Sequence, residues 1–418
     1  MKRTGMAVCW CLAALVAVSL AVSGCAKKKE PVVPKEPIKI GAVFSVTGPA
    51  AKLGGPEKNT ATMVRDQIND AGGINGRPIE LIVVDDQGVP ANTQNAVKQL
   101  ITRDNVIAII GPSVSGAAFA AAPFCEESGV PLVSCAAAWV QLFVDKDPKK
   151  PMYKFVFKTP QNDSDCARKI LEDCKNKGFK KIAIITVSDG FGQAGRAELL
   201  KLSPEYGIKV IVDETYPPDA SDLTPNLTKI RAKKPQAVIN WSIVSAQGLI
   251  AGQMKQLKMT MQLYQSHGFG NKNYITPEAE GVLFPAGRLL VVDDMDSTNV
   301  QYKVLKKFKA DYEAKYGEGV STFAGHAYDA LNMLIEVIKA KGADRGAIRE
   351  GLEGLTGFVG TAGVFNMKPD DHCGLNTDAF VMITVKDGKF RLADTVKSAP
   401  ATAGAPVPEK APAPAKAK

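Results

Sequence analysis

The chain is predicted to be an α/β protein with two Rossmann-like lobes, each a parallel sheet flanked by helices. Continuous apolar runs such as Ile38 to Ser45 (IKIGAVFS) mark strands buried on both faces. They alternate with amphipathic helical stretches, and strand–helix–strand order implies right-handed parallel crossovers. The alternation restarts near residue 158, and 418 residues suffice for two sizeable cores.

After strand 38–45 and the turn Val46-Thr47-Gly48-Pro49, a helix from about Lys58 to Ala71 turns Met63, Val64 and Ile68 inward and ends at Gly72-Gly73. Strand 79–85 follows, then helix 91–103, strand 106–110, helix 115–128 and strand 130–134. This order sets the turn Gly111-Pro112-Ser113 beside the segment Cys135 to Trp139 at a carboxyl sheet edge, where open α/β sheets bind ligands. The second half offers helix 164–176, strand 181–187, helix 193–202, strand 208–213, helix 223–233, strand 237–241, helix 246–257 and strand 261–265. Arg288 to Asp293 is expected to return to the first lobe, completed by helices 300–316 and 321–340. Residues 379–391 read as a hairpin turning at Asp387-Gly388, and the Pro/Ala/Lys tail 397–418 is expected to be disordered.

A formal charge of +9 hints at nucleic acid until it is located. Residues 1–24 carry +2, residues 26–37 carry +2 and residues 397–418 carry +3, which leaves +2 on the core. That is no electrostatic footprint for a nucleic-acid partner. Lys2 and Arg3 precede an apolar stretch, Met6 to Val22, shorter than the roughly 20 residues that span a bilayer. The following Val22-Ser23-Gly24-Cys25 resembles a bacterial lipobox. Residues 1–24 are therefore expected to be a signal peptide, Cys25 a lipidated first residue, and 25–37 a flexible tether. An ordinary signal peptide cut nearby is the competing reading.

Cys9 and Cys11 leave with the signal, so five cysteines remain beyond Cys25. Cys166 and Cys174 lie about 12 Å apart along one helix, too far to bridge. No ligand spacing for zinc is present. A Cys125–Cys135 disulfide stays open, with buried free thiols the simpler reading.

The string Ile68 to Glu80 (INDAGGINGRPIE), followed by Asp85-Asp86, resembles the helix-to-strand junction of type I periplasmic binding proteins. The likeness is closest to their leucine/isoleucine/valine-binding branch. Phe44 to Ala50 (FSVTGPA) resembles that family's first ligand-side loop, and Lys158 to Asp165 its first crossing between lobes. The resemblance spans about residues 38–396. It implies a first lobe of 38–159 plus 289–360 and a second of 160–288 plus 361–396, joined by a three-crossing hinge whose last crossing falls near Gly360. It further implies an exported, lipid-anchored monomer on the periplasmic side of a membrane. Such a protein captures a small-molecule ligand and delivers it to the permease and ATPase subunits of an ABC importer, with no cofactor, metal or catalytic residue.

Two motifs compete with that reading. Gly190-Phe191-Gly192-Gln193-Ala194-Gly195 fits the dinucleotide fingerprint GxGxxG, with Asp213 and Glu214 near the expected acidic position. It starts only after Ser188-Asp189, and an exported lipoprotein rarely meets NAD; the resemblance makes it a cleft loop, with Phe191 over the ligand rather than in the core. Ser113 and Ser115 follow a strand and open a helix, as a hydrolase nucleophile does, but the motif is not G-x-S-x-G. Only His267, His326 and His372 are available, and no sequence feature ties one to either serine. Ser115 either holds a ligand oxygen or caps its helix, or does both.

By resemblance, Ser115 matches a carboxylate-binding serine, with Ser113 beside it, and Ala136 a backbone contact to the ligand. Ala138 stands where a threonine is usual, Ile243 where a tyrosine is, and His267 where an acid pairs with the ligand's ammonium. The carboxylate end of an amino-acid site is kept and the ammonium end lost. Trp139, Phe191, Trp241 and Phe269 are expected to supply apolar walls, and His267 a hydrogen bond or, if protonated, a positive charge. His326 and Tyr328 are expected to pack in the core, with an approach to the cleft as the alternative, and Asp370 to Gly374 to connect the lobes rather than bind metal. The ligand expected is a small carboxylate or carbonyl compound with an apolar or aromatic body. A sensory binding module and an exported enzyme on the same fold are the rival functions.

Overall fold

The computed structural model describes residues 35–393, so the signal peptide, Cys25, most of the tether and the 397–418 tail lie outside the described residues. Residues 37–393 form one compact unit. Strands β1 (Ile38–Phe44), β2 (Ile79–Asp85), β3 (Ala108–Ile110), β4 (Leu132–Ser134) and β5 (Val156–Lys158) make an all-parallel sheet, β2-β1-β3-β4-β5. Strands β6 (Lys181–Val187), β7 (Lys209–Tyr216), β8 (Ala237–Trp241), β9 (Gln262–Gln265) and β10 (Leu283–Ala286) repeat that order, β7-β6-β8-β9-β10. A two-stranded sheet of β11 (Thr356–Val359) and β12 (Val364–Asn366) stands apart. The antiparallel β13 (Val381–Lys386) and β14 (Lys389–Leu392) extend the second sheet. Their turn residues Asp387 and Gly388 both take positive φ, 52° and 66°, as a two-residue hairpin turn requires.

Helices α1 (Ala51–Asp70), α2 (Pro90–Thr102) and α3 (Ser115–Ser128) connect the first sheet. Helices α4 (Asp163–Asn176), α5 (Gly190–Leu202), α6 (Thr224–Lys233) and α7 (Leu249–Gln256) serve the second. Helices α8 (Tyr302–Tyr316), α9 (Thr322–Lys341) and α10 (Arg345–Glu353) follow. The inner strands β1, β3 and β6 are largely apolar because both faces are covered, whereas the edge strands β2 and β7 carry exposed charged residues. Ile38, Ile40, Ala42 and Phe44 pack with α1 and α9, while Val43 joins Val97, Leu100 and Ala121 on the other face. Each such burial stabilises the fold by roughly 1.5–3 kcal/mol relative to exposure.

The structure departs from expectation at several points. Helix α1 begins two turns earlier than Lys58 and contains Pro56. Proline has no N–H for the Lys52 carbonyl one turn back, and that carbonyl accepts from Asn271 Nδ2 at 2.9 Å instead. Strand β10 was hidden by Pro285, which argues against a strand. It is tolerated because pairing with β9 is confined to Leu283↔Tyr264. The expected last crossing near Gly360 falls later: Phe365, Met367, Cys373, Leu375 and Ala379 pack in the first core, and Phe380 enters the second. Arg288–Asp294 is a 3-10 helix whose Leu289 and Val292 pack with Leu305 and Phe308 of α8.

Cys125, Cys135, Cys166, Cys174 and Cys373 are all buried free thiols, so the Cys125–Cys135 disulfide is not formed. Burial holds each thiol above its usual range. Alkylation of the native protein is expected to leave these five positions unmodified, and alkylation after denaturation to label all five. Peptide mass spectrometry of the two samples checks this, and a bridged or rapidly labelled Cys135 would contradict it.

Candidate functional site

In each sheet the strand order reverses beside the first strand, between β1 and β3 and between β6 and β8. The carboxyl edges at these switch points contribute to one small cavity of about 20 Å³. Ser113, Ser115, Cys135 and Pro160 line it from the first sheet's edge, and Phe191, Ile243 and His267 from the second. Leu53 from the start of α1, and Phe323 and His326 from α9, complete the wall. A larger hollow of about 430 Å³ beside Arg288 and Asp378 uses none of the residues that follow β3, β4, β6, β8 or β9.

Ser113 is held from two sides. Its Oγ accepts from Ser45 N at 3.0 Å and is hydrogen-bonded to Glu57 Oε2. Glu57 projects from α1 and is fully buried; burial pushes its carboxyl up to about 8, partly opposed by the Ser113 bond, with Asp86 adding a smaller upward push. Its Oε1 has no hydrogen-bond partner among the described residues. Ser45 Oγ donates to Asp86 at 2.8 Å, and Asp86 also accepts from Gly88 N and Thr93 Oγ1, each at 2.8 Å.

Ser115 is the first helical residue of α3, whose cap is Val114, so its hydroxyl does not cap the helix. It accepts from Ala138 N at 3.3 Å. Gln141 Nε2 donates to the carbonyls of Ala136 and Ala138, at 2.8 and 2.9 Å. Of this loop it is Ala137 that lines the cavity, not Ala136, Ala138 or Trp139. Trp139 is drawn away: its N–H donates to Asp163 Oδ1 and its Nε1 to Glu198 Oε1, both at 3.2 Å, and its ring meets Phe143 edge-on.

On the facing side His267 lies in a 3-10 turn after β9. Phe191, Trp241 and Phe380 surround it at ring distances of 5.3, 5.6 and 5.7 Å. Neither of its ring nitrogens has a partner among the described residues. Burial, then the charge of Lys158, drives its pKa down to about 3, and His326 is pushed to about 3 by the same two causes. Both imidazoles are neutral at pH 7, which leaves His267 the hydrogen-bonding alternative and not the positive charge. Lys158 itself is wholly buried, and its Nζ donates to the uncharged oxygens Pro160 O at 2.6 Å and Asn162 Oδ1 at 2.9 Å.

Trp241 is buried behind Phe191, and Phe269 packs among Tyr274, Phe284 and Phe390, so neither lines the cavity. Ile243 does, while its carbonyl accepts from Tyr274 OH at 2.7 Å. The glycines of Gly190 to Gly195 are explained by packing. A Cβ on Gly192 would lie 1.7 Å from Val187 O, and one on Gly195 2.1 Å from the Trp241 ring. The helix start that would hold a pyrophosphate is already capped by Asp189, which accepts from Gly192 N at 2.8 Å. The Asp370 to Gly374 loop is likewise spent: His372 stacks on Phe157 and bonds Val156 O at 2.8 Å, and Asp371 accepts from Cys373 N and Gly374 N.

Sequence reasoning missed Leu53, Glu57 and Phe323, ranked His326 as core, and placed Cys135 and Pro160 in the right loops without singling them out. Leu53, Glu57, Ala61 and Val64 follow helical spacing on one face of α1, so the inward carboxyl was readable once the helix began at Ala51. Phe323, His326, Ala327 and Ala330 repeat the pattern on α9.

The fold is that of a two-lobed binding protein in which both sheets present carboxyl edges to one cavity. The chain belongs to the periplasmic binding protein family, whose sequence profile matches residues 37–389. It is 26% identical over 307 residues to the Leu/Ile/Val-binding protein BraC3 of Rhizobium johnstonii, covering 73% of this chain and 80% of that protein. An extracellular ligand-binding receptor from Rhodopseudomonas palustris HaA2 superposes with a TM-score of 0.79 at 26% identity, over 85% of this chain and 99% of that one. The branched-chain amino acid binding protein LivJ of Streptococcus pneumoniae, solved with isoleucine, superposes with a TM-score of 0.73 at 26% identity, over 85% and 99%. The chain is thus a solute-binding protein of the branched-chain amino-acid-binding type, not an enzyme, and its family is periplasmic.

The two histidines fix a pH response. Unfolded, they take up protons below about 6.5; folded, they stay neutral down to about 3. Their contribution to stability is full above 6.5 and is lost as pH falls towards 3. His326→Leu is expected to narrow the gap between urea midpoints at pH 7 and pH 4. An unchanged gap would show that this imidazole is not held neutral.

Proposed function

We propose that the protein is the lipid-anchored substrate-binding component of an ABC importer, capturing a small carboxylate whose body is apolar or aromatic and which lacks a free α-ammonium. The observation that carries this reading is the composition of the cavity wall, which holds two serine hydroxyls and two neutral imidazoles but no carboxylate. An ammonium buried there would lose its hydration without an anionic partner, a penalty of several kcal/mol. A carboxylate meets the Ser113 and Ser115 hydroxyls and the positive field of buried Lys158. Leu53, Phe191, Ile243 and Phe323 accept its apolar body.

A ligand of this kind needs roughly 300 Å³ or more, far above the present 20 Å³. Capture therefore occurs with the lobes, 38–159 plus 289–360 and 160–288 plus 361–396 with the later last crossing noted above, swung apart. Closure is favoured because both lobes touch the ligand only when closed. Export and anchoring rest on the lipobox at Val22 to Cys25. The permease and ATPase partners rest on the importer role of the binding-protein family.

Calorimetry with leucine and with benzoate tests the ligand class. Benzoate is expected to bind and leucine is not; tight leucine binding would overturn the argument from His267. Intact-mass analysis of the protein from its own membranes is expected to begin at an acylated Cys25, and an unmodified mature N-terminus would remove the anchor.

A further inference from the structure

The polar network beneath Ser113 includes a carboxyl that ligand capture by itself does not require. Glu57 rises from α1 into the gap under the switch point of the first sheet. Serine has one O–H donor and two lone pairs. One lone pair of Ser113 is already taken by Ser45 N at 3.0 Å, a bond set by the backbone. What remains is one donor and one acceptor, to be shared between Glu57 on one side and the cavity on the other. The Glu57 proton decides how they are shared. A protonated Glu57 donates to the remaining lone pair, and the Ser113 O–H turns to the cavity as a donor. An ionised Glu57 accepts that O–H, and Ser113 then shows the cavity only a lone pair. A carboxylate ligand is attracted by the first arrangement and repelled by the second.

We propose that Glu57 is a positioning residue whose proton sets the Ser113 hydroxyl as a hydrogen-bond donor into the cleft, so that carboxylate capture requires protonated Glu57. The inference rests on the carboxylate reading of the ligand given above. Its surroundings favour the protonated form, because no basic group appears among the influences on the Glu57 carboxyl. Asp86 after β2 bears on it from one side, and the neutral Cys135 thiol after β4 lies within its electrostatic reach. Asp329 of α9 also acts on Cys135, and the neutral His326 of α9 lines the same cavity. Burial holds the Glu57 proton up to about pH 8. Since the ligand's own carboxyl is ionised above about pH 5, affinity is expected to be level through neutral pH on this account, then to fall about tenfold per unit above 8.

The test is benzoate binding by calorimetry from pH 6 to pH 9.5 on the wild type, Glu57→Gln and Glu57→Leu. Asp163 and Asp329 are also pushed up to about 7, so the comparison between variants carries the answer. Glutamine keeps a permanent donor towards Ser113: its affinity is expected near the wild-type value at pH 6 and without the fall above pH 8. Leucine leaves Ser113 O–H without a partner on that side and is also expected to lose the alkaline fall, which separates a proton effect from a packing effect. An infrared band of a protonated carboxyl, present in ligand-free wild type at pH 7 and missing in Glu57→Gln, is the second readout. Absence of that band, or an alkaline fall of the same size in Glu57→Gln, overturns the proposal. If benzoate binds no variant at any pH, the ligand class falls and the coupling with it. If benzoate binds with no fall in the wild type, only the coupling falls.

Discussion

Leu53 and Phe323 belong to helices that pack on the first sheet, yet their side chains lie in the hydrophobic cluster of the second. This apolar contact across the cleft is what the geometry of the site depends on. It brings Asn271 within reach of the Lys52 carbonyl, Thr322 N within 3.0 Å of Gly270 O, and Trp139 against Asp163 and Glu198. It also excludes water from the serines, histidines and Glu57 between the lobes. Desolvation then dictates their state: the imidazoles are neutral, and the carboxyl keeps its proton. Polar groups that would be ordinary at a surface become selective because nothing but the protein or a ligand can satisfy them.

The same desolvation gives the cleft opposing responses to pH. The histidines stabilise the closed protein towards neutral pH. Glu57 acts in the other direction, since the unfolded chain releases its proton near 4.5 and the folded chain only near 8. Its contribution is full at acid pH and is lost as pH rises through 8. Asp163 and Asp329, both pushed up to about 7 by burial, lean the same way as Glu57. The two sets therefore pull stability in opposite directions between about pH 3 and pH 8, because folding removes protons from the histidines and adds them to the carboxyls.

Much of the fold was legible because strands buried on two faces leave an unmistakable apolar record. Strands 79–85, 181–187 and 237–241 and helix 115–128 have the limits their patterns imply. What was hidden carried a contrary local signal. Pro285 masked β10, where the missing N–H is tolerated because pairing with β9 is confined to Leu283, and Pro56 hid the first turns of α1, where Asn271 takes up the freed carbonyl. At the site, strand order led to Ser113 and Ser115, and the family resemblance to Phe191, Ile243 and His267, all of which line the cavity. Trp139 and Phe269 do not line it because their hydrogen bonds and ring contacts are made elsewhere, and Trp241 stands one layer back, behind Phe191 and His267. Aromatic residue type says that a side chain will be buried, not which of two neighbouring hollows it will fill.

The two sheets share one strand order but bring different chemistry to their common edge. The loops after β3 and β4 supply hydroxyls and a thiol; those after β6, β8 and β9 supply rings and an aliphatic side chain. On the proposed reading, the ligand's head is met by the first of these stretches and much of its body by the second, more than fifty residues apart between Cys135 and Phe191, with Leu53 and Phe323 adding to the wall around the body. A selection for new ligands could hold one stretch fixed and randomise the other, searching tail and headgroup preference as two small libraries instead of one large one. For a biosensor built on this scaffold, that division makes the second lobe's loops the place to begin.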